Sequence, residues 1–169
     1  MISIKSSRDL SLMREACVIS ARALKLGGEA VQPGVTTGEI DRIIRQYIES
    51  MGAKPSFLGY SGYPASACIS VNDVVIHGIP GNRIIREGDI VSIDVGAFYN
   101  GFHGDNAATF GAGKVSAEAQ ALMSPTRLPA VAILMPSYRL SRVASINACA
   151  SAETLPAPKV AALSPWKPL

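Results

Sequence analysis

Apolar residues recur at helical spacing through Leu10, Met13, Cys17, Ala21 and Leu24, behind a Ser7 that can cap a helix, and the stripe stops at Gly27-Gly28. Pro33-Gly34 makes a turn. Thr36 with Glu39 three residues on is a capping box, because each side chain can satisfy the other's backbone N–H. It opens a second helix that turns Ile40, Ile43, Ile44, Tyr47 and Ile48 inward and Arg42, Arg45 and Glu49 outward, until Gly52 ends it. The period then changes from 3.6 to 2. Ala67-Cys68-Ile69-Ser70-Val71 alternates like a strand, and Val74-Val75-Ile76 predicts a second one, ending at His77-Gly78-Ile79-Pro80. Arg86-Glu87-Gly88-Asp89 is a turn into the strand from Ile90, Phe102 to Phe110 is the return strand, and Ser116 to Met123 begins another helix.

The turn between those last two strands carries the first hint of chemistry. Asn100-Gly101 is a strong hairpin signal, since both residues tolerate φ > 0. With these two as the loop, Tyr99 faces Phe102 and Gly96 faces Asp105. Asp94, two residues from Gly96, then points to the same face as Asp105 and is its diagonal neighbour at roughly 7–8 Å between backbones. Two carboxylates leaning together from that separation can share metal ions. The alternative is a pair of turn or network acids, which suits Asp94 poorly between Ile93 and Val95, where an unpaired charge is costly.

Between the helices and the strands lies Phe57-Leu58-Gly59-Tyr60-Ser61-Gly62-Tyr63-Pro64, rich in rings and glycine. It reads either as a loop folded over the core or as the wall of an apolar ligand pocket. His77 stands alone after an apolar run, a position where a histidine is more often structural than functional. Gly111-Ala112-Gly113-Lys114 is not a phosphate loop: it lacks the glycine spacing and the Ser/Thr that would meet magnesium.

Composition bounds the rest. A chain of 169 residues, 48% hydrophobic and 17% charged, is globular and large enough for one domain with a real core. The N-terminus has no signal-peptide pattern, no apolar run reaches the ~18 residues of a membrane span, and Cys17, Cys68 and Cys149 form neither a disulfide framework nor a zinc motif, so a cytoplasmic protein is expected. The net charge of +3 is not shared evenly. Residues 1–123 hold 11 Lys+Arg against 12 Asp+Glu, which gives little reason to expect nucleic-acid binding. From residue 124 the character changes. All fifteen glycines lie within residues 1–113, whereas seven of the eleven prolines and a single acid, Glu153, fall in 124–169. The expected organisation is therefore a domain over 1–123 and a Pro/Ala/Ser-rich tail over 124–169, either disordered or read in another frame.

Residues 1–122 resemble the N-terminal half of bacterial type I methionine aminopeptidases. The resemblance rests on Val31-Gln32-Pro33-Gly34-Val35-Thr36-Thr37-Gly38-Glu39-Ile40-Asp41, Gly59-Tyr60-Ser61-Gly62-Tyr63-Pro64, Cys68-Ile69-Ser70-Val71-Asn72, His77-Gly78-Ile79-Pro80, Gly88-Asp89-Ile90-Val91, Ile93-Asp94-Val95 and Gly101-Phe102-His103-Gly104-Asp105, in the family's order. It implies an α+β fold, the N-terminal half of a pita-bread (creatinase/aminopeptidase) fold with helices packed on an antiparallel sheet. It further implies Asp94 and Asp105 as ligands of two divalent metal cations (Co, Mn, Fe, Zn or Ni type), with Asp105 bridging both. His77 matches a substrate-contacting catalytic histidine, Phe57, Tyr60, Tyr63 and Cys68 match the lining of a methionine side-chain pocket, and His103 matches no catalytic position. The implied reaction is removal of the N-terminal methionine of nascent peptides, at the ribosome or free of it, by a monomer, with a bridging water activated by the two ions.

The departures matter too. The family's remaining ligands, a histidine and two glutamates, follow in its second half, whereas this sequence has no histidine after His103 and only Glu153 after Glu118. The chain as written is thus expected to be truncated or frame-shifted, to bind metal weakly and to hydrolyse little. A non-catalytic peptide- or ribosome-binding module and a proline-specific peptidase of the same fold are the alternatives, and the Tyr60/Tyr63/Cys68 set favours methionine over proline.

Overall fold

The computed structural model describes residues 4–127, with side chains to 123. In chain order these form helix α1 (Ser7–Glu29), helix α2 (Thr37–Ser50), a two-residue strand β1 (Lys54–Pro55), strands β2 (Ala67–Val71), β3 (Ile90–Tyr99) and β4 (Phe102–Gly111), and helix α3 (Ala117–Arg127). The expected tail over 124–169 lies outside the described residues, apart from the last turn of α3. No helix among the described residues is long and apolar enough to cross a membrane.

β3 is the strand on which the sheet is built. Along one edge it pairs antiparallel with β2 and then β1, and along the other with the whole of β4. The β3–β4 turn adopts φ +49° at Asn100 and +86° at Gly101, both left-handed, so its twist matches that of the strands it joins. Tyr99 pairs with Phe102 and Gly96 with Asp105, the register expected from the turn. Val91, Ile93, Val95 and Ala97 of β3 point to one face and are buried against the helices, together with Ile69 and Val71 of β2 and Ile40, Ile44 and Ile48 of α2. The even-numbered residues of β3 point to the other face.

α2 is the helix the sequence predicts. Thr36 caps it, Glu39 closes the capping box with its carboxylate 2.8 Å from the Thr36 N–H, and Gly52 follows its end at φ +70°. Ile43 alone departs from the expected inward set, being 36% exposed. α1 differs more. Its cap is Ser6, which forms a capping box with Asp9, and not Ser7. Its buried face is Ala16, Ile19, Ser20, Ala23, Leu24 and Gly27, one position round from the predicted stripe, while Leu10 is half exposed. The cause is closeness. A Cβ on Gly104 of β4 would collide with the Ala16 carbonyl, and one on Gly28 would enter the Phe110 ring. At these points of closest approach only small residues fit, so Ala16, Ser20 and Ala23 share the buried face with Ile19 and Leu24. The same closeness carries the helix through Gly27 and Gly28, which do not end it: a Cβ on Gly27 would stand 2.7 Å from Ile44 Cδ1.

Val74-Val75-Ile76 is not a strand. The Ile69 N–H, which a neighbouring strand would otherwise take in a regular ladder, donates to the Gly78 carbonyl at 2.8 Å, and the segment between is a turn and loop.

The contact between α1 and β4 gives a test. Gly104→Ala would press a methyl against helix backbone that has no slack, and is expected to cost at least about 2–3 kcal/mol in urea unfolding, beyond an ordinary overpacked side chain. A loss below about 0.5 kcal/mol would show that the helix can back away.

Candidate active site

The face of the sheet away from α1 and α2 gathers Cys68 of β2, Asp94 of β3 and Asp105 and Ala107 of β4. Asp94 pairs with Cys68 on one side and with Ala107 on the other, and Gly96 with Asp105, so Asp94 and Asp105 are diagonal neighbours. Their carboxyls approach closely enough to hydrogen-bond to each other. The Asp94 pKa is pushed up to about 6: partial burial contributes most, the Asp105 charge and a hydrogen bond to Asp105 follow, and His77 and the Val95 N–H pull the other way.

Cys68, His77 and Asp94 line one open cavity of about 340 Å³ with Ser92, Ala107 and Thr109. His77 owes its place to its neighbour. The Gly78 N–H donates to Ser70 Oγ at 3.1 Å, the Gly78 carbonyl accepts from Ile69, and a Cβ at Gly78 would collide with the Ile69 carbonyl. Glycine alone lets the loop lie this close to β2, and it leaves His77 in the left-handed region at φ +56° with an exposed ring. The Tyr63 hydroxyl lies 3.1 Å from both the Ala67 and Gly78 carbonyls and also meets the Cys68 thiol. Burial, first, and that contact hold the Tyr63 pKa well above the phenol range, and burial pushes the Cys68 thiol up as well. Both groups are therefore neutral at physiological pH, a polarizable, uncharged wall.

The other two predicted residues behave differently. Phe57 is half-buried against Gly96, where a Cβ would come within 2.8 Å of its ring, so it sits beside the acid pair. Tyr60 does not join them. It is 76% exposed, on the short 3₁₀ turn Tyr60–Gly62. His103 accepts or donates through Nδ1 to Ser56 Oγ at 2.9 Å and stacks at a tilt on Phe98, a structural placement. One residue escaped the sequence reasoning. Asp41 of α2 accepts both the Ser66 and Ala67 N–H groups at 2.8 Å, pinning the start of β2, and burial raises its pKa. The signal was an acid between the core residues Ile40 and Ile44.

This site lies within a recognisable segment. Residues 11–128 match the model of metallopeptidase family M24. The chain belongs to family M24. It is 52% identical over 126 residues to a methionine aminopeptidase of Clostridium perfringens, covering 75% of this chain and 51% of that one, and 44% identical to methionine aminopeptidase 1 of Bacillus subtilis over the same shares. Among solved structures, the methionine aminopeptidase of Thermotoga maritima matches with a TM-score of 0.72 at 37% identity, over 75% of this chain and 51% of that one. An Xaa-Pro dipeptidase from Bacillus anthracis, at 23% identity and a TM-score of 0.60, shares the fold. The described residues thus form the expected half of a pita-bread fold, and the chain spans about half the length of the curated relatives it matches.

M24 is a family of metalloenzymes, so the donors present can be tested against a divalent ion. Asp94 and Asp105 are suitable in kind, being hard oxygen ligands already drawn together. They fall short in number: among the described residues no three His, Cys, Asp or Glu side chains gather as a metal site.

The acid pair has a measurable signature. A folded-state pKa near 6 against 3.8 for the ordinary group means that the folded chain holds an extra proton. The stability this confers is present in full below about pH 4 and is lost as pH rises through about 6. The Asp94 carboxyl carbon, followed by NMR, is expected to titrate near 6 and, in Asp105→Asn, to move part of the way back towards 3.8, since burial remains. An unmoved midpoint would show that Asp105 does not contribute.

Proposed function

We propose that this chain carries the methionine-recognising part, and two of the metal ligands, of a peptidase that removes N-terminal methionine. The observation that carries the reading is the convergence of Asp94, paired with Asp105, with His77 and Cys68 on one cavity, in a segment 52% identical to a methionine aminopeptidase. In this reading the neutral Cys68–Tyr63 wall and the Phe57 ring receive the thioether side chain, and His77, exposed at the rim, hydrogen-bonds to the peptide beyond it. Asp94 and Asp105 are the oxygen ligands of divalent cations, which in a completed site would lower the pKa of a bound water. The substrate would be the N-terminal methionine of nascent peptides, met in the cytoplasm by a monomer. Likeness to proline-specific enzymes supports the shared fold alone, and no feature of this cavity favours them.

Two carboxylates leave a divalent ion mostly hydrated. The 169-residue chain is therefore expected to bind Co²⁺ or Mn²⁺ with a dissociation constant of about 0.1 mM or weaker, the range of sparsely liganded oxygen sites, and Asp105→Asn should abolish even that in calorimetry. Sub-micromolar binding would contradict the ligand shortage.

Peptide recognition is separable from hydrolysis. In an amide-resolved NMR titration of the same chain, Met-Ala-Ser is expected to shift Cys68, His77 and Phe57, and Lys-Ala-Ser to leave them still, with little methionine released. Equal responses to both peptides would overturn the methionine assignment.

A further inference from the structure

The segment that brings Phe57 to the acid pair has little backbone to hold it. β1 is two residues long and pairs Lys54 with Phe98 and Pro55 with Ala97. Its proline has no N–H to give to a ladder. Beyond it the Ser56 N–H donates to the Gly96 carbonyl at 2.9 Å, and the Tyr60 N–H donates to the Phe57 carbonyl as the chain turns away. Side chains supply the rest. Phe98 pairs with His103 across β3 and β4, as Gly96 does with Asp105 two residues on, so all four face the open side of the sheet. The His103 ring lies 4.7 Å from that of Phe98, and its Nδ1 meets Ser56 Oγ at 2.9 Å. Gly96 between these groups has to stay bare, because a Cβ there would stand 2.7 Å from Ser56 Cβ and 2.8 Å from Phe57 Cε1. Ser56 is thus tied from one side while the Phe57 ring settles over Gly96, opposite Asp105.

We infer that His103 is a positioning residue for methionine recognition: through its hydrogen bond to Ser56 it holds the Phe57 ring in the space that Gly96 leaves, as the wall of the pocket beside the acid pair. The inference rests on the reading of Phe57 as part of a methionine-binding wall. The competing role is purely structural, a ring stacked on Phe98 to support the hairpin. His103 is exposed, however, so the stack removes little apolar surface from water and stabilises the hairpin little. The bond to Ser56 does what no other contact of His103 does: it ties the hairpin to a segment 47 residues earlier in the chain, one residue from the ring it has to place. A wall set before the ligand arrives lowers the ordering that binding requires.

Two substitutions in the 169-residue chain separate these roles. His103→Asn keeps a polar atom at the δ position and loses the ring, whereas His103→Phe keeps a ring on Phe98 and loses the bond. In the free chain, NOE contacts between the Phe57 ring and the Gly96 α protons are expected to persist in His103→Asn and to fade in His103→Phe and in Ser56→Ala. The thermal midpoint should move by no more than about 2 °C in either His103 variant, since that side chain is exposed. In the NMR titration with Met-Ala-Ser, the dissociation constant is expected to rise about fivefold in His103→Phe, the span of a neutral hydrogen bond, and to stay within about twofold of the parent in His103→Asn. Once Phe57→Ala is present, His103→Phe should add nothing further. NOE contacts that survive His103→Phe, equal losses in both His103 variants, or additive effects of His103→Phe and Phe57→Ala on affinity would overturn the positioning role. A parent chain that does not bind the peptide, or a Phe57→Ala variant that binds it as well as the parent, overturns instead the methionine reading of the wall, and the NOE contacts still decide whether His103 places the ring.

Discussion

A one-residue slip between β3 and β4 would take Asp94 out of the open face and place Ile93 and Val95 in it, since strand side chains alternate. The register is therefore the constraint on which the site depends, and two independent features hold it. The turn holds it locally, through left-handed Asn100 and Gly101. The core holds it globally, because Val91, Ile93, Val95 and Ala97 must all face the helices together. An acid flanked by two core residues is tolerated at position 94 only because the pleat sends it to the opposite side, where a partner waits.

The covered side imposes a second constraint, on size. Gly104 admits the backbone of α1, Gly28 admits the Phe110 ring, and Asn106 reaches the helix with its amide 2.6 Å from Ser20 Oγ. Small residues across the interface bring helix and sheet within polar reach of each other, and Asn106 and Ser20 then satisfy one another in a region that water does not enter freely. The helix thus fixes β4, and β4 carries Asp105.

These two constraints explain what could be read from the sequence and what could not. The hairpin, its register and the Asp94–Asp105 pair were legible because a two-residue turn sets a register by local rules alone. The capping box at Thr36 and Glu39 was legible for the same reason. The face of α1 was not, because hydrophobic spacing weights Leu10, Met13 and Cys17 above Ala16, Ser20 and Ala23, whereas close approach selects the small residues. Val74-Val75-Ile76 misled in the opposite direction. Apolar, β-branched residues suggest a strand, but here they are exposed beside a cavity, where apolar character serves a surface and not a ladder. Among the candidate pocket residues, Tyr63 is held through its hydroxyl on the Ala67 and Gly78 carbonyls, next to Cys68, whereas Tyr60 projects into solvent, a difference in side-chain direction that no motif encodes.

The proton on the acid pair follows from the same register that brings the two carboxyls together. Partial burial and the facing Asp105 charge make the doubly ionised pair unfavourable, which is why Asp94 retains a proton to about pH 6. The same two causes make the pair attractive to a divalent cation, since a cation relieves both the desolvation and the repulsion. Proton and cation are alternative solutions to one electrostatic problem, and two carboxyls suit a shared proton better than a divalent cation, most of whose shell they leave to water. The acid pair is thus a pair of carboxyls held together by the fold at an electrostatic cost, which a shared proton lowers.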